Sequence, residues 1–374
     1  MSHDTSPTKA ELPESQGDTK IPKLDFAQEP IVGNQLPKFS WVLFAMLGLG
    51  IAGGILALLN SFSIAATIVL GVLVMLLITG IASAIVEGPR PAMDRVMRTL
   101  VWTLFLTALV PLGSLLWEVV SRGLERFDMT FFTETQAKTF DMNAVLGASH
   151  ALMGTFMVTA LAFLISVPIG LFTAIYLVEY GSTTKLASGI RFLVDVMTGI
   201  PSIVAGLFAY ALFAMILGPG TRSAMAGAVA LTVLMIPTVV RSTEEMLKLV
   251  PNELREASFA LGVPKWRTIL RVVLPTSLAG IITGVILAIA RIIGETAPLL
   301  VTAGYYQKMN MNAFDGATST LPVLVYQSIR THGPRAEEMQ MLGWAGALTL
   351  IVLVMGLNLL GRFIAAKFAP KPGR

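Results

Sequence analysis

The sequence predicts an all-α integral membrane protein with eight transmembrane helices, and three observations carry that expectation. Of 374 residues, 54% are hydrophobic and 13% are charged, against ~25% charged in an average soluble domain. With a mean hydropathy of +0.73, the chain has too few polar side chains to cover a water-facing surface. The apolar residues gather in runs close to the ~20 that a helix needs to cross ~30 Å of hydrocarbon. The basic residues concentrate in alternate connecting segments.

Residues 1–40 are polar and punctuated by Pro7, Pro13, Pro22, Pro30 and Pro37. They read as a disordered tail, too long and too acidic for the leader of a signal peptide. The spans follow in order: Trp41–Leu59, Phe62–Val86, Leu100–Val120, Ala151–Val178, Ser223–Val240, Pro275–Thr302 and Met341–Leu360. Leu186–Leu217 is less uniform. It holds Arg191 and Asp195, spaced as an i,i+4 pair at the membrane edge, then Gly199-Ile200-Pro201. We read a short helix at the interface, a break at the Gly/Pro, and a span from about Ser202. Gly50 and Gly54 form a GxxxG in the first span, a spacing that permits close helix contact.

With both termini in the cytoplasm, the inside segments hold 19 Lys and Arg and the outside segments hold 7. That bias fixes the orientation, because short cytoplasmic loops retain the basic residues. The net charge of +4 is spread through loops and is no nucleic-acid footprint. There is no Cys, so no disulfide or thiol chemistry. His3, His150 and His332 lie outside the apolar runs, which argues against a His-ligated metal in the membrane.

The longest inside segment, Pro251 to Pro275, reads PNELREASFALGVPKWRTILRVVLP. Asn252 can cap a helix, Glu253 and Glu256 suit its positive end, and Gly262 with Pro264 closes it. One face presents Leu254, Ala257, Ser258 and Leu261, and its small residues let another protein approach; a helix laid flat on its own bundle is the alternative. A second short helix, about Lys265–Leu274, leads to Pro275 at the first turn of the next span.

These residues resemble the EAA loop of ABC-transporter permeases: Glu256-Ala257-Ser258, three residues, Gly262, nine residues, Val272-x-Leu274-Pro275. The family consensus has a second Ala at Ser258 and Ile at Val272. Met197–Tyr210 (MTGIPSIVAGLFAY) resembles the fifth-helix signature of the phosphate permeases. Ala290–Leu300 (ARIIGETAPLL) resembles the PstA branch, and with PTVVRSTEEML (Pro237–Leu247) the resemblance covers about residues 95–365. It implies a type I ABC importer permease bundle with a six-span core over 91–374, to which 41–90 adds a further helix pair. It also implies a bacterial inner-membrane location, and Glu256, Ala257 and Gly262 as determinants of contact with a cytoplasmic ATPase. The implied partners are a homodimeric ATPase that holds the ATP and magnesium, a PstC-like sister permease and an external phosphate-binding protein. No cofactor is implied in this chain, and no G-x-x-x-x-G-K-[ST] occurs in it.

Arg291 and Glu295 stand one helical turn apart inside an apolar run. Entering from Pro275, Arg291 is 16 residues along, about 24 Å of rise, near or just past mid-membrane. A structural ion pair is one account of them, although buried pairs are often replaceable by apolar residues. The other is a transit site. A guanidinium fork suits phosphate oxygens, and a carboxylate can accept the proton that phosphate keeps near neutral pH and sulfate lacks. Opposed charges keep binding weak enough for release, and Gly294 and Pro298 would loosen the helix there. Arg241 is a candidate exit contact. Ser202, at a helix N-terminus, is a candidate anion contact. The segment 302–339, with Leu321–Ile329, is a candidate docking surface for the external protein. Another oxyanion (sulfate or molybdate) is the alternative cargo. A membrane-embedded enzyme is disfavoured because paired acids or His at metal-ligand spacing are missing.

Overall fold

The computed structural model describes residues 36–37, 39–60, 63–181 and 184–368, so almost all of the expected tail (1–40) lies outside the described residues. Among these, all regular structure is helical. The helices are α1 (Ser40–Leu58), α2 (Ile64–Val86), α3 (Pro89–Leu124), α4 (Met129–Thr133), α5 (Ser149–Ile175), α6 (Lys185–Gly199) and α7 (Ser202–Leu217). After these come α8 (Ala224–Lys248), α9 (Asn252–Ala260), α10 (Lys265–Thr268), α11 (Leu274–Ile293), α12 (Ala297–Thr302), α13 (Leu321–Arg330) and α14 (Ala336–Phe368). Single π-turns, Tyr176–Tyr180 and Ile269–Val273, extend α5 and join α10 to α11. Seven of the described helical stretches are long and apolar enough to cross a membrane. The pair α6 and α7, bent by 107° at the expected Gly-Ile-Pro break, makes an eighth if counted as one span.

The described residues fall into two compact units, divided between Pro111 and Leu112. In the first, α1 and α2 form a hairpin. Its close contact is not at Gly50 and Gly54, where a side chain would meet nothing within 4 Å. It is at Gly48, whose added Cβ would lie 2.5 Å from the carbonyl oxygen of Gly71. A GxxxG written within one helix does not show which face the next helix will choose. The Glu87 carboxylate, 6% exposed, closes the corner: it accepts from Leu36 N–H at 2.7 Å and pairs with Arg95.

In the second unit α8 is the central helix, with 67% of its apolar window buried against 44% for the stretch containing α11. Val158, Leu231, Met235, Val239, Ile281, Val285 and Ile292 form a core from α5, α8 and α11. Removing this much apolar surface from contact with lipid or water leaves packing and shape to hold the helices, which is why small residues mark the contacts. Met246 and Ser242 of α8 press on Gly280 and Gly284 of α11. A second core joins α4, α5, α13 and α14 through Phe131, Ala151, Leu321, Leu324 and Leu342. Within Leu321–Ile329 one side is covered: Leu321, Val323 and Leu324 are fully buried, and Ile329 alone among its large apolar residues is strongly exposed. His150, expected outside the apolar runs, sits in the first turn of α5, 2% exposed. No cluster of three or more metal-ligating side chains occurs among the described residues.

Candidate functional site

Two helix breaks meet inside the second unit. One separates α6 from α7 at Ile200-Pro201. The other separates α11 from α12 at Gly294–Thr296, with Pro298 in the first turn of α12. They are held side by side by Gly206, whose added Cβ would lie 2.6 Å from the Cα of Pro298. Ser202 and Gly294 each precede that contact by four residues. Broken membrane helices leave backbone groups without helical partners, which is tolerated where they face protein or a water-filled cavity. Half-buried Ser202 opens α7 at the positive end of its dipole.

Arg291 lies one turn below the second break. It shares an exposed stripe of α11 with Leu287, 59% exposed, and Gly294. Seven residues separate it from the Gly284–Ser242 contact, about 10 Å along the helix. Counting the same distance along the antiparallel α8 reaches Met235, the middle of that helix. Arg291 thus sits at mid-bundle depth. No carboxylate pairs with it among the described residues. The i,i+4 pair that its spacing to Glu295 suggests does not form, because α11 ends at Ile293 and Glu295 is carried into the break, where its N–H donates to Ile292 O at 3.2 Å. A guanidinium at this depth is costly against lipid and faces water or protein instead.

Nearer the α9 end, α6 and α8 carry crossed ion pairs. Arg241 meets Asp195 at 2.6 Å, and Arg191 meets Glu244 at 3.3 Å while also donating to Leu177 O at 2.9 Å. Arg191 and Asp195 thus pair across helices and not with each other, because α8 offers each a better-placed counter-charge than its own helix does. Lys248 joins Glu244 at 2.8 Å. With Glu245 these groups line an open cleft of about 230 Å³ holding three cations and three carboxylates. Arg241, half exposed, is at its mouth.

Helix α9 is closed as its sequence requires. Gly262 has φ +73°, and Gly262 N–H and Val263 N–H donate to Phe259 O and Ser258 O. This reversal needs a left-handed residue, which glycine supplies without strain. At the other end Pro251, not Asn252, takes the cap position. Glu256 and Ala257 are exposed, beside Leu254 at 42%, Phe259 at 43% and Leu261 at 83%. Ser258 does not belong to that face: it is buried, its hydroxyl 2.8 Å from that of Thr268. Two residues that sequence reasoning passed over hold the helix in place, Arg255 and Glu179, with guanidinium nitrogens 3.0 and 3.1 Å from one carboxylate oxygen. They are 76 residues apart, and the only sequence signal was an acid ending an apolar run.

Residues 166–373 match the family of binding-protein-dependent transport system inner membrane components. The phosphate transport system permease protein PstA 1 of Mycobacterium tuberculosis is 45% identical over 289 residues, covering 74% of this chain and 91% of the relative. PstA of Mycobacterium leprae is 48% identical over 272 residues, 71% and 87% of the two chains. PstA of Yersinia pestis is 39% identical over 278 residues, 74% and 92%. An all-helical, multi-pass chain with paired helix breaks, an exposed capped helix after its central span and this degree of identity belongs to the PstA family of inner-membrane ABC permeases.

Proposed function

We propose that this chain is a transmembrane permease subunit of an ATP-driven importer of inorganic phosphate, working by alternating access. The carrying observation is Arg291: a mid-bundle guanidinium with no counter-charge among the described residues, beside two helix breaks, in a chain of the PstA family. A monohydrogen phosphate there accepts from Arg291 and can donate its proton to Glu295. Sulfate has no proton to give and would meet the carboxylate as a like charge. The first turn of α7 at Ser202 adds backbone N–H groups to the same depth. Arg241, already held by Asp195, is an exit contact that exchanges one anionic partner for another.

The exposed stripe carrying Arg291 needs a cover that is not lipid, which favours a PstC-like sister permease enclosing the path. The α9 face, with Glu256 and Ala257 exposed and Gly262 setting its end, is the surface on which a homodimeric ATPase carrying ATP and magnesium would act. An external phosphate-binding protein delivers substrate at the opposite end. Both chain termini and α9 lie in the cytoplasm in this reading, with 41–90 an added hairpin preceding a core over 91–374.

Arg291→Ala tests the assignment in proteoliposomes holding the assembled importer. Phosphate uptake is expected to fall at least 100-fold with insertion and assembly unchanged. In the parent complex excess sulfate should compete poorly. Normal phosphate uptake by the variant would remove Arg291 from the path.

A further inference from the structure

The Arg255 guanidinium uses all five of its N–H donors. Nε and Nη2 donate to Glu179 Oε1 at 3.1 and 3.0 Å, Nη2 to Leu247 O at 2.9 Å, and Nη1 to Val250 O at 2.6 Å and to Asn252 Oδ1 at 3.2 Å. The side chains of Arg255 and Glu179 are 13% and 6% exposed. One residue of α9 therefore grips the π-turn that ends α5 and also the carbonyls of Leu247, in the last turn of α8, and of Val250, just beyond it. From the other side Lys265 donates to Glu179 O and lies 4.9 Å over the Tyr180 ring. Ser258 and Thr268 fasten α9 to α10. The exposed apolar face of α9 has its back bolted to the central helix α8 and to the end of α5.

We propose that the Arg255–Glu179 pair is the mechanical link by which displacement of α9 moves α5 and α8, making both residues positioning residues for transport and not part of the ATPase contact. The proposal rests on the coupling reading of α9. A buried ion pair adds little net stability over apolar packing, yet it is directional, and the planar fork fixes the angle between three elements in a way that a single ammonium cannot. A load on Leu254 or Phe259 then reaches α8, and through it the Arg241 and Arg291 levels, without being absorbed by hinge motion at Pro251 or Gly262.

The test uses the assembled importer in proteoliposomes, with Glu179→Gln and Arg255→Lys each measured for ATPase co-purification, basal ATP hydrolysis, and phosphate delivered per ATP hydrolysed. Co-purification and basal hydrolysis are expected within twofold of the parent, with phosphate per ATP reduced at least tenfold. The chain has no Cys, so Glu179→Cys/Arg255→Cys allows the link to be remade with a short bis-maleimide. Cross-linking is expected to restore at least half of the lost phosphate-to-ATP ratio, while the same reagent on either single-Cys chain restores none. The proposal is overturned by an unchanged ratio in the single variants, by loss of ATPase binding in step with transport, or by a formed cross-link that restores nothing. Failure of all these chains to insert would show a folding role and overturn it equally. A separate variant, Phe259→Glu, tests the underlying reading: if it retains the ATPase, the docking assignment of α9 falls whatever the clamp does.

Discussion

Arg291 and Glu295 show how far a residue's neighbours in sequence differ from its neighbours in space. Their spacing reads as a one-turn pair, but Gly294 and Pro298 interrupt the helix between and beyond them, and neither pairs with a charge among the described residues. The depth of Arg291 was legible, because counting residues along an apolar run needs only the helical rise. Its lack of a partner among the described residues was not legible, nor were the crossed pairs Arg191–Glu244 and Arg241–Asp195, since a sequence displays only ion pairs three or four residues apart on one helix. Arg241→Ala frees Asp195 at the cleft mouth. Because both groups are half exposed, protein yield is expected to change little, while transport falls about tenfold; uptake measured beside expression level checks it, and unchanged uptake removes Arg241 from the exit.

Helix α9 and the α7–α12 contact carry element-scale consequences. Gly262 sits at φ +73°, where a side chain costs about 1–2 kcal/mol of backbone strain. Gly262→Leu is expected to leave α9 folded but to shift its end, so that subunits remain assembled and substrate-stimulated ATP hydrolysis is lost. ATPase assays with and without the binding protein decide this, and normal stimulation would show that the end of α9 is not part of the coupling surface. Gly206 faces Pro298 with no room for a Cβ, and Gly206→Leu forces α7 from α12 at a cost of about 1–3 kcal/mol. A lower melting temperature for the purified chain is expected, and an unchanged one would show that the two breaks are not packed as described. The break itself was readable from Gly199-Ile200-Pro201. The buried side of Leu321–Arg330 was not, because an amphipathic pattern says that one face is covered and not by what.

For the whole molecule, the apolar runs gave the number and order of the spans, and fixed-spacing motifs gave the family, because both are local properties of the chain. The Arg255–Glu179 contact that ties α9 to the bundle spans 76 residues, and its one local trace was an acid at the end of an apolar run. Arg291 is expected to border a water-accessible path for phosphate once the importer is assembled. Gly294 shares its exposed stripe, and the absence of Cys makes Gly294→Cys a single reporter. The decisive measurement is the rate at which a membrane-impermeant thiol reagent labels that position in the assembled complex, with and without nucleotide. Labelling in at least one nucleotide state, slowed by phosphate and not by sulfate, is the expected result; no labelling in any state would mean a dry helix contact and would contradict the transit role of Arg291.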